Sequence, residues 1–569
     1  MAEPDDAASW RALALALLGE DPDPLTQLEL RQAVEAGDDA ALKAAFQPRL
    51  EFGTAGLRGA VGPGPARMNL LVCARFAWAL GTFLTRRPEL AARGVVIGFD
   101  ARRDSARFAR HIERILAGFE LELWTAEAPV PTPLVAFGVR LVQAGAGVVV
   151  TASHNPAGDN GIKLYDELGV QIVGPWDAEI EALMQVAPPY PEIVQKAPRS
   201  RSLDLEVFPV YLAQLRARGA RGGGQAKVRV AYTPLHGVGG SVLAAAVASS
   251  DVELVVVPEQ AEPNPDFPTT PFPNPEEPGV LDRLLGLARR ERVDLALAND
   301  PDADRLAVAL PDGRGGYLAL GGDEVGLLLC ECLSELEPEA PVCINSVVSS
   351  PGLDAWARER GGRALHTLTG FKWLARAARA EPRFLLAYEE ALGYCSPAPL
   401  GHLGALDKDG LAAAMDLIAF VRRLGSGAAL LERLAAVSVK IGVWVCHAAS
   451  VRLTGEAAGA GARRVMEGLR QAPPARLGSE VVTEIVDYLE GAERRSPLLG
   501  RQDLLSFGTE SGARVLVRPS GTEPKIKIYT HVVGPARGPS GVDYVARRDE
   551  LLDAAARITG EIRERASAP

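Results

Sequence analysis

Excess basic charge, paired cysteines and long apolar runs are all missing from this 569-residue chain. Lys and Arg number 61 against 72 Asp and Glu, a formal net charge of −11 at pH 7. Nonspecific nucleic-acid binding needs a net basic face to neutralise phosphates, so that class is excluded. A small phosphorylated ligand remains open, because a few convergent Arg and Lys can hold one on an acidic protein. The six cysteines (Cys73, Cys330, Cys332, Cys343, Cys395 and Cys446) form no CxxC pair. Cys330 and Cys332 are too isolated for a zinc site, and reduced, mostly buried thiols are expected. No run approaches the roughly 18 apolar residues of a membrane-crossing helix. The acidic start (Glu3, Asp5, Asp6) lacks the basic region of a signal peptide, which points to a soluble, cytoplasmic protein.

What is present is ordinary globular material, 47% hydrophobic and 23% charged. A chain of this length divides into roughly three to five domains. Residues 1–40 read as a helical lead-in, with Trp10, Leu13, Leu15, Leu17 and Leu18 as its apolar positions. Strands and helices then alternate to about residue 215, the pattern of a parallel sheet. The Gly-rich Arg221-Gly222-Gly223-Gly224 marks a hinge. The boundaries expected are 41–218, 219–330, 331–440 and 441–569. The first three are similar mixed α/β units and the last is a smaller α+β unit. A strand followed by a polar loop recurs in the first three, which suggests a divergent repeat.

Four loops carry the chemistry. Thr151-Ala152-Ser153-His154-Asn155-Pro156 follows the β-branched run Gly147–Val150, so Ser153 stands where open α/β sheets bind ligands. Asp300-Pro301-Asp302-Ala303-Asp304-Arg305 sets three carboxylates at alternate positions, able to point oxygens at one hard cation. An EF-hand is excluded, because Arg305 and Pro311 stand where that loop needs glycine and glutamate. A solvated acidic turn is the plainer alternative, against which Arg305 places a cation beside a metal-bound anion. Glu389 and Glu390 end a strand and can accept hydrogen bonds from sugar hydroxyls. Arg518-Pro519-Ser520-Gly521-Thr522 joins one arginine, two hydroxyls and a glycine into an anion cradle between strands. Three further stretches support these four. Gly53-Thr54-Ala55-Gly56-Leu57-Arg58 pairs close backbone with a guanidinium, while Thr369-Gly370-Phe371-Lys372 and Asp407-Lys408-Asp409-Gly410 each supply a lysine. Thr233–Gly239 fails the dinucleotide-binding glycine spacing.

In content and order these loops resemble the α-D-phosphohexomutase superfamily, the phosphoglucomutases and phosphomannomutases, over residues 40 to 535. Gly53–Arg58, Leu368–Trp373 and Glu389–Tyr394 are most similar to the phosphoglucomutase-2/phosphopentomutase branch. The resemblance implies four domains around a central cleft, each presenting one loop, with Ser153 as the phosphoserine and Asp300, Asp302 and Asp304 holding one Mg²⁺, the serine phosphate being a further ligand. It implies that Arg518, Ser520, Gly521 and Thr522 hold the non-reacting phosphate and that Glu389, with Glu390 beside it, meets sugar hydroxyls. Arg305, Thr369, Gly370, Lys372 and Lys408 would complete the pocket, and Arg58, His154 and Lys163 would lie near the reacting phosphoryl. Lys163, His154 and Lys372 are the candidates for proton transfer; Lys163 would need a cationic neighbourhood to lower its pKa. The expected activity is that of a phosphoglucomutase, with a sugar bisphosphate as activator. Phosphopentomutase, sugar 1,6-bisphosphate synthase and an idle sugar-phosphate sensor are the alternatives. A monomer or weak homo-oligomer acting on sugar phosphates is expected, with no nucleic-acid or membrane partner. One departure stands out. Hexose enzymes carry a serine near the sugar-binding glutamate, where this chain has Ala391 and Leu392.

Overall fold

The computed structural model describes residues 7–53, 56–248, 250–337, 339–452, 458–490, 498–520 and 525–567. Three helices, Ala7–Leu17, Pro24–Ala36 and Asp39–Phe46, open the chain. They bury Trp10, Leu30, Val34 and Phe46 in a small core that rests on Leu71. Asp23 caps the second helix by accepting a hydrogen bond from the Leu25 amide, and Gly37 ends it in the left-handed region. Among the described residues no helix is long and apolar enough to cross a membrane. All six cysteines are free thiols, five of them buried.

Four sheets follow in chain order. The first has seven strands, and its centre is the fully buried parallel pair Val95–Phe99 and Ala146–Val150. A purely parallel sheet does not continue outward from there. Asp159–Tyr165 runs antiparallel to Ala146–Val150, and Gly56–Ala60 antiparallel to Asp159–Tyr165. The physical reason is the connection length, since a parallel return needs a crossover of about a dozen residues and the serine loop is shorter. The same device recurs twice. In the second sheet Leu295–Asn299 lies parallel to Val228–Thr233 and returns antiparallel through Leu306–Pro311. In the third, Phe384–Glu389 lies parallel to Val342–Ser346 and returns through Gly393–Cys395. Each return loop therefore stands at the carboxyl end of a central strand, and these are the serine, triple-aspartate and double-glutamate loops.

The fourth sheet is antiparallel throughout, in the order Val443–Arg452, Lys525–Gly534, Arg514–Pro519, Leu505–Thr509, Glu480–Asp487, Arg476–Leu477. Its Arg518 loop joins two neighbouring strands. The first three sheets share one continuous apolar core that also takes in Val443 and Val445 of the fourth, and much of the fourth packs a second core of its own. Val347, Val348, Tyr488, Leu504, Leu516 and Tyr529 join the third sheet to the fourth. The glycine-rich stretch at 221–224 is docked rather than free. Arg221 donates to the Pro397 carbonyl at 2.6 Å, and a Cβ on Gly224 would stand 2.3 Å from the Arg423 nitrogen.

Candidate active site

The serine loop is shaped by hydrogen bonds to its backbone. The Ser153 amide donates to Thr151 Oγ1 (2.8 Å), and that hydroxyl donates to Asp100 Oδ2 (2.7 Å). Ser153 sits at φ 52°, a left-handed conformation costing a non-glycine residue about 1 kcal/mol or more. Arg102 holds it there. Its buried guanidinium donates to the carbonyls of Ser153 (2.7 Å), Asn155 (2.5 Å), Pro156 (2.7 Å) and Asp159 (2.9 Å), and pairs with Asp100 at 3.3 Å. The loop is thereby wrapped around one cation. Ser153 Oγ donates to Asp300 Oδ2 at 2.8 Å and lies 3.2 Å from His154 Nδ1. Burial, followed by the charges of Arg305 and Arg58, holds the His154 imidazole well below its usual range, so it is neutral.

Asp300, Asp302 and Asp304 are all fully buried, and one oxygen of each lies within 4.8 Å of the others. Lys163 Nζ bridges Asp302 Oδ2 and Asp304 Oδ2, both at 2.6 Å, and Lys408 Nζ reaches Asp304 Oδ2 at 3.1 Å. Burial pushes all three carboxyls up; Lys163 outweighs it at Asp302, and Lys163 with Lys408 does so at Asp304. Asp300 stays well above its usual range through burial and its two anionic neighbours. Asp302 Oδ1 and Asp304 Oδ1 are buried with no hydrogen-bond partner. Orphaned acceptors beside the Ser153–Asp300 pair form an all-oxygen donor set of the kind a divalent cation takes. The solvated acidic turn is thereby excluded. Lys163 meets charge of both signs: burial and Arg58 lower its pKa, but Asp302 and Asp304 prevail and push it up to about 12.

A cleft of about 2420 Å³ opens in front of this cluster, and Arg58, His154, Arg305, Thr369, Glu389, Lys408 and Arg518 line it. Arg58 lies along the serine loop, Nη1 3.5 Å from the Ala152 carbonyl. Arg305 Nη1 pairs with Glu276 Oε2 at 3.0 Å, and its amide donates to Asp300 Oδ1. On the third-sheet wall the Gly370 amide, at φ 115°, donates to Glu389 Oε1 at 3.0 Å. Glu390 Oε2 accepts from Ser346 Oγ (2.9 Å) and Ser349 Oγ (3.1 Å). Thr369 Oγ1 stands 3.5 Å from Gln502 Oε1. Arg518 lies over the Tyr529 ring and donates to its hydroxyl (3.0 Å), and Ser520 lines the cleft beside it. Gly521 and Thr522 lie outside the described residues. Lys372 is not brought into the cleft. It belongs to helix Phe371–Ala380 and faces a separate recess with Phe52 and Gly53.

Burial raises the Glu389 carboxyl to about 7 against the pull of Lys408. Because the folded state holds this proton more tightly than the unfolded chain, stability falls as pH rises from about 4.5 to 7, by about 3 kcal/mol from this group. If Glu389 accepts from sugar hydroxyls as a carboxylate, kcat/KM is expected to rise with pH through a limb near 7. Glu389→Gln is expected to erase that limb, leaving only the ionisation of the substrate phosphate; a wild-type profile in the variant would deny Glu389 the role.

Residues 49–189, 210–313 and 321–437 match the phosphoglucomutase/phosphomannomutase alpha/beta/alpha domains I, II and III, and residues 465–546 match the C-terminal domain of the same family. The chain belongs to the phosphoglucomutase/phosphomannomutase family. It is a phosphomutase, an isomerase that transfers phosphate groups. It is 34% identical to a "probable phosphomannomutase" of Haemophilus influenzae, over 85% of this chain and 98% of the relative. It is 32% identical to the phosphopentomutase of Homo sapiens, over 94% and 93%. In fold it matches the crystal structure of a phosphoglucomutase/phosphomannomutase family protein from Burkholderia thailandensis with a TM-score of 0.66 at 19% identity, over 90% of this chain and 97% of the other.

Four further residues shape the site from the cleft wall or from behind it, and three of them carry no local signal in the sequence. Arg102 looks like any arginine ahead of a helix, because its carbonyl partners lie more than fifty positions away. Thr132, whose hydroxyl donates to Asp302 Oδ2 at 2.6 Å, carries no motif. Glu276 hides in a proline-rich loop that otherwise reads as surface. Lys527 was legible: it alternates with Ile526 and Ile528 on a strand, opposite Arg518, and burial lowers its pKa.

Proposed function

We propose that this phosphomutase carries the transferred phosphoryl on Ser153 and moves it between the 1-position and the distal hydroxyl of a sugar phosphate through a sugar bisphosphate. The observation that carries the reading is the buried Ser153 hydroxyl, held 2.8 Å from Asp300 beside two orphaned carboxylate oxygens and next to His154, which lines the same cleft as Arg518. The hard oxygen set suits Mg²⁺. When bound by Asp300, Asp302, Asp304 and the Ser153 oxygen, it would neutralise charge on the phosphoryl group. Arg58 and Arg305 add fixed positive charge, and Lys163 and Lys408 keep Asp302 and Asp304 ionised and in place. Neutral His154, whose Nδ1 donates to the Ser153 Oγ that itself donates to Asp300, orients the serine oxygen. Arg518 and Ser520 grip the phosphate that does not react. A catalytic amount of sugar bisphosphate would recharge Ser153 whenever the intermediate escapes.

We propose a pentose phosphate, rather than a hexose phosphate, as the preferred substrate. The turn from Glu389 to Gly393 presents two carboxylates and no hydroxyl, since Ala391 has none and Leu392 is buried in the core. The similarity to a phosphopentomutase over nearly the whole chain supports the same reading. With Mg²⁺ and catalytic bisphosphate supplied, kcat/KM for ribose 1-phosphate is expected to exceed that for glucose 1-phosphate by about tenfold or more. A hexose preference of similar size would reject the pentose assignment. Arg518→Ala is expected to raise KM by roughly 10- to 100-fold with a smaller change in kcat, as loss of a charged phosphate contact does. An unchanged KM would contradict its role.

A further inference from the structure

Away from the phosphoryl cluster, Asp323, Cys446 and His531 converge where helix Gly322–Ser334 meets the fourth sheet, with one ligand atom from each within 4.8 Å of the others. The backbone dictates this meeting. Cys446 pairs directly with His531 across the strands Val443–Arg452 and Lys525–Gly534, so both side chains leave the same face. Asp323, in the first turn of its helix, is turned toward them as its Oδ1 accepts from the Ser350 amide at 2.8 Å.

Two buried atoms there lack a partner. His531 is fully buried, and its Nε2 lies 3.0 Å from the Val348 carbonyl oxygen. A carbonyl only accepts, so Nε2 carries the ring hydrogen and Nδ1 is left as a bare lone pair. That Nδ1 is buried with no hydrogen-bond partner, and so is Asp323 Oδ2. Each such orphan costs about 1–3 kcal/mol. The atoms are gathered without bonding one another, which is the spacing of ligands around an ion rather than of a hydrogen-bonded triad. A backbone carbonyl fixing the far nitrogen of an imidazole is also the arrangement that orients metal-binding histidines.

We propose that Asp323, Cys446 and His531 form a second metal site, for a borderline-soft transition ion of the zinc class, joining the third and fourth units. One sulfur, one nitrogen and one oxygen suit Zn²⁺ and not Mg²⁺, and three protein ligands leave a fourth position. Asp323 and Cys446 line the cleft, so that position faces it. Binding sends the Cys446 thiol proton to solvent. Arg514, opposite His531 on the next strand, opposes a cation. Its Nη2 is committed to the carbonyls of Val347 and Ser349, and the thiolate and carboxylate together exceed its charge. The site does not depend on the substrate assignment.

The probe is Co²⁺, titrated into the full chain and followed by absorption. A thiolate-to-cobalt charge-transfer band saturating at one equivalent is expected, and the aspartate triad cannot produce it because it has no sulfur. Cys446→Ser should remove the band, and Asp323→Asn should weaken Zn²⁺ binding by about tenfold or more in competition with a chelator. Both substitutions spare the fully buried His531, and circular dichroism checks that the fold persists. No band in the wild type, or a band that survives Cys446→Ser, would overturn the site.

Discussion

Ser153→Ala is expected to lower kcat by roughly 10⁴-fold or more, because it removes the atom on which the proposed phosphoryl transfer depends. The substitution spares the fold. Alanine inherits the same backbone, which Arg102 and Thr151 hold through main-chain contacts that the side chain does not share. The hydroxyl bond to Asp300 is lost, a change of about 1 kcal/mol in stability. An activity loss without unfolding, measured as kcat alongside thermal melting, therefore separates a nucleophile from a structural serine. A variant that turned over within tenfold of wild type would remove Ser153 from the mechanism.

Arg102→Ala is expected to have the largest effect on stability. The guanidinium is almost wholly buried, donates to four loop carbonyls and pairs with Asp100. Its removal leaves the carbonyls unpaired and Asp100 uncompensated, a loss of about 3–5 kcal/mol in the unit that carries the serine. Arg102→Lys restores the charge but cannot fork to four acceptors, so it should recover stability only in part. With the loop loosened, Arg102→Lys should lower kcat by about 10²-fold while KM changes less, since the serine is displaced and the phosphate wall is untouched. Melting of both variants checks the first expectation, and steady-state kinetics of the lysine variant checks the second. An Arg102→Ala protein as stable as wild type would show that the loop holds its own shape.

The serine, triple-aspartate and double-glutamate loops were legible because their chemistry depends on residue types packed into a few consecutive positions. The central strands were legible for a similar reason: unbroken β-branched runs such as Val95–Val96–Ile97 leave little alternative to a buried strand. What long-range placement decides was not legible. Lys163 meets Asp302 and Asp304 from 139 and 141 positions away, and no local signal announces that meeting. Lys372 follows the Thr369-Gly370 turn so closely that it reads as part of it, yet the helix begun at Phe371 carries it out of the cleft. The mixed strand directions were hidden in loop lengths that composition does not advertise. The convergence of Asp323, Cys446 and His531 depends on strand register and on one helix docking against another unit's sheet, and neither leaves a local signal.

The central claim is that Ser153 carries the phosphoryl group, and intact-protein and peptide mass spectrometry test it directly. After incubation with a sugar 1,5- or 1,6-bisphosphate and Mg²⁺, the protein should gain one phosphoryl group, on the peptide containing Ser153. Excess sugar monophosphate should then discharge it. A phosphoryl group that settles on another residue, or a Ser153 that never takes one up, would contradict the account.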